Sequence, residues 1–400
     1  IRRPPRSTQG VSSAASDVYK SQLIYRLSEY SQVEDRNFNI LLIDENSLNA
    51  FAAPGGVIGI NGGLFLYAEN EGQFASVLAH ELAHLSQRHF ARNVLNSKDN
   101  NLASVLVMVS AMAAAVATNN PNAFMAGPAF LQQQSLRYSR LFEREADRVG
   151  FNNLINAQYD PSSMGEMFEQ MAKMRRLAGD NIPEFLLTHP ISSSRVADAF
   201  NAADQVESQY TKKDSLDYQL IRGRLRIKYE EIPLNAIRKI QGIIKDDPSN
   251  ENRYALAVAY KRGNKYQDSL DMIDGLINEN PKNLILQNTK AEILLDKGDA
   301  EGALKIVNNA LNISTKNFPL SVLKAKILSY KKELFAAEEI IRDQLLRRNT
   351  DPYLWLYCSM SIFLPPYLTV YLFVYIIHIE IILSLIHISE PTRPRLISYA

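Results

Sequence analysis

Cysteine is almost missing from this sequence. A single residue, Cys358, among 400 excludes a disulfide framework and any thiolate-based metal site. An excess of one charge is missing as well. With 44 basic and 43 acidic residues the net charge is +1, so nothing global points to nucleic acid. The run after run of apolar residues that marks a polytopic membrane protein is also lacking. A mean hydropathy of -0.19 and a charged fraction of 22% exclude that class. What is present is enough for real cores. The hydrophobic fraction of 46% excludes a wholly disordered chain, and 400 residues suggest two or three domains at roughly 100–200 residues each.

Charge divides the chain. Residues 22–205 hold 13 Lys/Arg and 19 Asp/Glu, whereas 206–350 hold 25 and 20. An acidic first half and a basic second half read as two units with different tasks. The two ends read as neither. Residues 1–21 and 384–400 resemble translated sequencing-adapter sequence, and no secretory signal is legible in the first of them. Domain boundaries are therefore expected at 22–205 and 214–352, with tails at 1–21 and 353–400. The stretch 362–383 is apolar and long enough for a membrane span. It carries Pro365-Pro366, His378 and Glu380, and is read as aberrant sequence. The charge-free run 102–117 is short for a span and reads as a buried helix.

Periodicity gives a coarse layout for the first unit. Residues 22–35 read as an amphipathic helix with Leu23, Leu27 and Tyr30 on one face. Ile40–Ile43, Val57–Asn61 and Leu64–Tyr67 read as strands of a small meander, with turns at Gly55-Gly56 and Asn61-Gly62-Gly63. The edge of that sheet is expected around Val57–Asn61, where an extended polypeptide could add as a strand. Helices follow from Glu71. Residues 118–134, with Pro121 and Pro128, read as a loop, and a helix resumes near Ser139. Asp160-Pro161-Ser162-Ser163 is a helix-start signal, and Pro183 and Pro190 bracket another loop.

Beyond residue 214 the pattern repeats. Small residues Ala236, Ser269, Ala303 and Ala336 recur at intervals of 33, 34 and 33, Gly263 and Gly298 lie 35 apart, and Pro248 and Pro281 lie 33 apart. A period near 34 with small residues at helix crossings resembles tetratricopeptide repeats, whose stacked hairpins form a concave binding surface. The plain alternative is a helical bundle with accidental spacing.

The chemistry lies in FASVLAHELAHLSQRHFARN. His80-Glu81-Leu82-Ala83-His84 places two imidazoles at i and i+4 on one helix face, where they can bind one Zn²⁺. Glu81 follows the first ligand and can act as general base. A third protein ligand is required. Position 87 is Gln and position 90 is Phe, so a third histidine does not continue the motif. Downstream, Glu143 and Asp147 stand at i and i+4. Glu143 can complete a His₂Glu site, and Asp147 can orient a ligand imidazole. Glu145 points about 200° away from Glu143 on a helix and is a poorer choice. His89, five residues past His84, reads as structural and on the opposite helix face.

VLAHELAHLSQRH followed by FEREADRVG, with INGGLFLY before it, resembles the HtpX-like and CAAX-prenyl-protease family of zinc metallopeptidases. The resemblance covers roughly 22–350. It implies an α+β zincin-type (gluzincin) domain followed by an all-α repeat array. It further implies a metalloendopeptidase with one Zn²⁺, acting on misfolded or misassembled envelope proteins in the periplasm of Gram-negative bacteria. By the same resemblance the outer-membrane assembly machinery is the partner of the repeats. It also implies that His189, in LLTHPISSSRVAD, is a reversible fourth metal ligand that displaces the catalytic water. Arg195 either stabilises the anionic intermediate or pairs with an acidic neighbour. Two rival classes are a non-catalytic scaffold with structural zinc and a membrane-embedded protease of the same family. The intact Glu81 argues against the scaffold.

Overall fold

The computed structural model describes residues 23–96, 140–179, 182–207, 214–347 and 354. The tail 1–21, all of the tail 353–400 but residue 354, the apolar stretches 102–117 and 362–383 and the expected loop 118–134 lie outside the described residues. Among the described residues no helix is long and apolar enough to cross a membrane.

The chain begins with a helix over 23–29, shorter than the 22–35 expected. Three strands follow: β1 (Asn39–Ile43), β2 (Ala50–Ala53) and β3 (Val57–Asn61). Their order is β1-β3-β2. β1 runs parallel to β3, Asn39 opposite Val57 through Ile43 opposite Asn61. β2 runs antiparallel to β3, Ala50 opposite Ile60 through Ala53 opposite Val57. The β2–β3 turn works because Gly55 and Gly56 adopt φ of 82° and 73°. A Cβ on Gly56 would also stand 2.6 Å from the Asn37 carbonyl oxygen.

Two expectations fail here. Leu64–Tyr67 is not a strand but part of helix α1 (Gly63–Tyr67), and β2 was not foreseen, so the sheet is mixed rather than a meander. A short apolar run such as Leu64-Phe65-Leu66-Tyr67 has no period that separates strand from helix. Ala50–Ala53 is alanine-rich and so a weak strand former. The edge is also misplaced. Val57–Asn61 is the central strand, buried at every position, and the edges are β1 and β2.

Helix α2 (Glu71–Ser86) is the axis of the first unit. Asn70 caps it by accepting from Gln73 N at 2.8 Å. Every residue from Glu71 to His84 is buried, which requires packing on all sides. Helix α3 (His89–Asn96) follows after a break. Helices α4 (Arg140–Asn156) and α5 (Ser162–Leu177) pack on α2, and β2 packs there too. The start of α5 bears out the Asp160-Pro161-Ser162-Ser163 signal, with Asp160 Oδ1 accepting from Ser162 N at 2.9 Å. Between Pro183 and Pro190 the expected loop contains a short helix, α6 (Glu184–Thr188). Helix α7 (Ser193–Asp204) completes this part.

Eight helices make up the rest of the described chain: α8 (Leu216–Lys228), α9 (Pro233–Ile243), α10 (Asn250–Arg262), α11 (Tyr266–Glu279), α12 (Leu284–Lys297), α13 (Ala300–Ile313), α14 (Phe318–Tyr330) and α15 (Leu334–Arg347). They pack pairwise, α10 with α11, α12 with α13, α14 with α15. Side-chain caps recur at Ser249, Asn283, Asp299 and Asn317. The small residues Ala236, Ser269 and Ala303 are buried where helices meet, while Ala336 is only partly buried beside buried Ala337.

Helix α8 belongs to both units. Tyr218, Ile221 and Leu225 join the core of the first unit, and Leu220 and Ile227 join the core of the helical array. Polar bonds lock the junction. Glu71 N donates to Asp214 Oδ1 at 2.8 Å, and Ser215 N donates back to Glu71 Oε2 at 2.6 Å. The N-terminus of α2 is therefore tied directly to the start of α8.

Candidate metal centre

The site forms where α2, α4 and the segment after α6 meet. The helices approach closely because Gly150 faces the backbone of α2. A Cβ there would lie 3.0 Å from His80 N and 3.1 Å from Ala79 O. Ala83, Ala146 and Val149 fill the same seam with small side chains. This approach brings Glu143 to the histidines of α2. His84 Nε2 lies 3.3 Å from Glu143 Oε1, and His80 Nε2 lies 3.6 Å from Glu143 Oε2. The two Nε2 atoms are 3.0 Å apart.

His189, at the C-cap of α6, enters from the third side. Its Nδ1 is 3.0 Å from Glu143 Oε1 and 3.5 Å from His80 Nε2. One ligand atom from each of His80, His84, Glu143 and His189 falls within 4.8 Å of the others, and all four residues are buried. Bonds of about 2.0–2.1 Å to a tetrahedral Zn²⁺ would set neighbouring ligand atoms about 3.3 Å apart. The separations of 3.0–3.6 Å given above bracket that edge. A set of three imidazoles and one carboxylate, each buried, fits a zinc ion.

Glu81 points to the other side of this cluster. Its Oε2 accepts from Ala52 N of the edge strand β2 at 2.9 Å. Its Oε1 has no hydrogen-bond partner among the described residues and stands 3.5 Å from His189 Nε2. Burial pushes the Glu81 carboxyl above its ordinary range, against the lowering charges of His189 and His80. Burial acts in the same sense on Glu143, but the charge and hydrogen bond of His189 and the bond to His84 hold that carboxyl well below the usual range. Burial lowers His84 well below the ordinary imidazole range. Burial alone would also lower His189, yet the carboxylates of Glu143 and Glu81 raise it.

The surrounding groups fix these side chains. His80 Nδ1 lies 3.0 Å from Asp147 Oδ1. Arg195 grips Asp147 with both Nε and Nη2 at 2.6 Å, and its Nη1 donates to Glu143 Oε2 at 2.8 Å and to Pro190 O at 2.9 Å. Four of the five guanidinium donors are thus committed, and the side chain is 5% exposed. That geometry leaves Arg195 little to offer an anionic intermediate. Of the two roles weighed for it, the pairing with acidic neighbours is the one that its contacts describe.

Sequence reasoning missed three residues. His89 is not on the far face of the motif helix: α2 ends at Ser86, and the chain turns at Arg88, whose φ is 54°. His89 then starts α3 with its Nδ1 2.9 Å from His84 Nδ1. Glu145, set aside as a ligand, instead meets His89 Nε2 at 3.1 Å, and Arg92 Nη1 donates to the same Glu145 oxygen at 2.9 Å. No local signal announces these contacts, because they depend on the break after α2.

Residues 16–203 match Peptidase family M48. The resemblance to zinc metallopeptidases read from the two motifs is borne out by that match. The chain is also similar to the beta-barrel assembly-enhancing proteases of Escherichia coli K12 and Yersinia pestis. Each is 29% identical, over 73% and 68% of this chain and 60% and 57% of those proteins. It is 30% identical to the mitochondrial metalloendopeptidase OMA1 of Saccharomyces cerevisiae, over 42% of this chain and 47% of that one. The chain spans about three fifths of the length of the two bacterial relatives it matches. The segment that matches this family is followed by a mostly helical C-terminal region.

Proposed function

We propose that this chain is a zinc-dependent metalloendopeptidase. Its zincin-type α+β domain of gluzincin kind covers 22–205, and a tetratricopeptide array covers 214–352. The observation that carries the reading is the convergence of His80, His84, Glu143 and His189 within 4.8 Å, beside the buried carboxylate of Glu81. His80, His84 and Glu143 would hold the ion. When bound, zinc supplies Lewis-acid polarisation of the scissile carbonyl and a lowered pKa for the attacking water. Glu81 takes the proton of that water and returns it to the leaving amine, a task suited to a carboxyl whose pKa burial has raised. Asp147, held by Arg195, keeps His80 oriented. His189 is the fourth, reversible ligand that closes the site at rest. An extended polypeptide would lie along the edge strand β2, where Ala52 N already faces Glu81.

The bacterial relatives are named for beta-barrel assembly. On that likeness the substrates are misfolded or misassembled envelope proteins, the compartment is the periplasm, and the repeats engage the outer-membrane assembly machinery. The basic balance over 206–350 suits an acidic protein surface. The test is metal analysis together with casein cleavage, for the whole chain and for Glu81→Gln. About one zinc per chain in both, with cleavage lost by several orders of magnitude only in Glu81→Gln, is the expected result. Near-wild-type cleavage by Glu81→Gln would remove Glu81 from the mechanism.

A further inference from the structure

Both motif histidines end on a carboxylate, but by different routes. His80 reaches Asp147 directly. His84 reaches Glu145 only through a second imidazole, that of His89. His89 is 0% exposed and stacks on Phe142, with centroids 4.7 Å apart and planes at 13°. The Arg92 guanidinium lies 4.5 Å from the centroid of the same ring.

We propose that His89 is a positioning residue that fixes the tautomer and ring orientation of His84, with Glu145 and Arg92 as the outer members of the relay. The inference rests on the zinc-peptidase reading above. An imidazole that offers its Nε2 lone pair to a cation carries its proton on Nδ1. The Nδ1–H of His84 then needs an acceptor, and His89 Nδ1 stands 2.9 Å away. His89 must in turn carry its proton on Nε2, and Glu145 Oε2, 3.1 Å away, accepts it. Arg92 holds that oxygen in place. Each proton has one position. A flip of either ring would set two lone pairs or two N–H groups against each other in a buried site, which is costly.

The backbone is built for this contact. On one continuous helix His89 would sit about 140° around from His84. The left-handed Arg88 ends that helix and starts the next at His89. A left-handed conformation at a non-glycine residue carries strain and persists where the surroundings impose it. Here it delivers the second imidazole to the first.

The experiment is a Zn²⁺ affinity measurement on the whole chain by competition with a chromogenic chelator. Urea unfolding of the zinc-free protein is run alongside. His89→Phe keeps the ring stacking and removes both nitrogens, and its zinc affinity should fall about 10–100-fold. His89→Gln offers an oxygen to His84 and an N–H to Glu145, and should recover most of the loss. Glu145→Ala acts at a partly exposed position and should weaken zinc in the same direction while the zinc-free protein stays folded. If His89→Phe cannot fold, Glu145→Ala carries the test, and wild-type affinity in it overturns the relay. Unchanged affinity in a folded His89→Phe overturns it as well, as does equal loss in His89→Phe and His89→Gln. A wild-type chain that binds no zinc overturns the peptidase reading, and the relay with it.

Discussion

Replacing Glu292 with glutamine tests how charge fastens the first helices of the array. Glu292 on α12 is 6% exposed. Arg224 Nη2 from α8 donates to its two oxygens at 2.9 and 2.7 Å, and Lys261 Nζ from α10 donates to Oε2 at 2.9 Å. Asn288 Nδ2 completes the set at 2.9 Å. Burial would raise this carboxyl, but the charges of Arg224 and then Lys261 outweigh burial and hold its pKa at about 2, against an ordinary 4.5. A depressed folded-state pKa gives stability that is present above about pH 4.5 and is lost as pH falls towards 2. At about 1.4 kcal/mol per pH unit, that interval is worth about 3 kcal/mol. The figure agrees with the about 3–5 kcal/mol lost when one partner of a buried pair is removed.

The assay is hydrogen exchange of α10 and α12 peptides in wild type and Glu292→Gln, compared at the same pH from 7 down to 3. The variant should open on the order of a hundredfold more readily at pH 7. The gap should narrow to about tenfold near pH 3. At pH 3 the opened wild-type side chain, with its ordinary 4.5, takes up a proton that the folded one, held at about 2, still lacks, and this proton uptake makes opening easier. A gap that stays constant with pH would show that packing, not charge, accounts for the loss. No gap at pH 7 would refute the reasoning altogether.

Other outcomes follow from the site. On the proposed assignment, His80→Ala, His84→Ala and Glu143→Ala should each reduce zinc content to near zero by metal analysis, since each would remove one of three permanent ligands. Full occupancy in Glu143→Ala would move the third ligand elsewhere. Gly150→Val should push α4 from α2, cost about 1–3 kcal/mol in urea unfolding and weaken zinc binding, because even a Cβ already stands 3.0 Å from His80 N. Wild-type stability and affinity there would show that the seam yields. His189→Ala should retain zinc through the other three ligands and cleave an unfolded substrate faster at equal zinc content, whereas slower cleavage would make His189 part of the chemistry.

Much of the helical architecture was legible because helices announce themselves locally. Gly298 of the repeat pattern ends α12 with φ of 100°, and Ser269 sits fully buried at a crossing with its Oγ bonded to Ala257 O. The sheet was less legible. Its middle strand pairs with one neighbour in parallel and the other in antiparallel order, and no local period encodes which neighbour is which. Helix α8 escaped for a related reason. Its apolar residues serve two cores at once, Tyr218 on one side and Leu220 on the other, so it reads as the start of the array although it also completes the first unit.

The site divides along the same physical line. His80, Glu81 and His84 share one helix, so their relation is fixed by 3.6 residues per turn and can be read from spacing alone. Glu143 and Asp147 share a second helix, and their spacing is equally legible. What brings the two helices together is not a polar residue but Gly150, whose lack of a side chain admits the backbone of α2. Two further groups that brace these side chains come from outside either spacing. Arg195 belongs to α7 and reaches both Asp147 and Glu143. His89 reaches His84 only because the chain turns left-handed at Arg88. A helix period applied across that break places His89 on the wrong face. The spacing of His80, His84, Glu143 and Asp147 is therefore legible in the sequence, while the approach of Arg195 and His89 is set by a tertiary contact and a helix break that no spacing records.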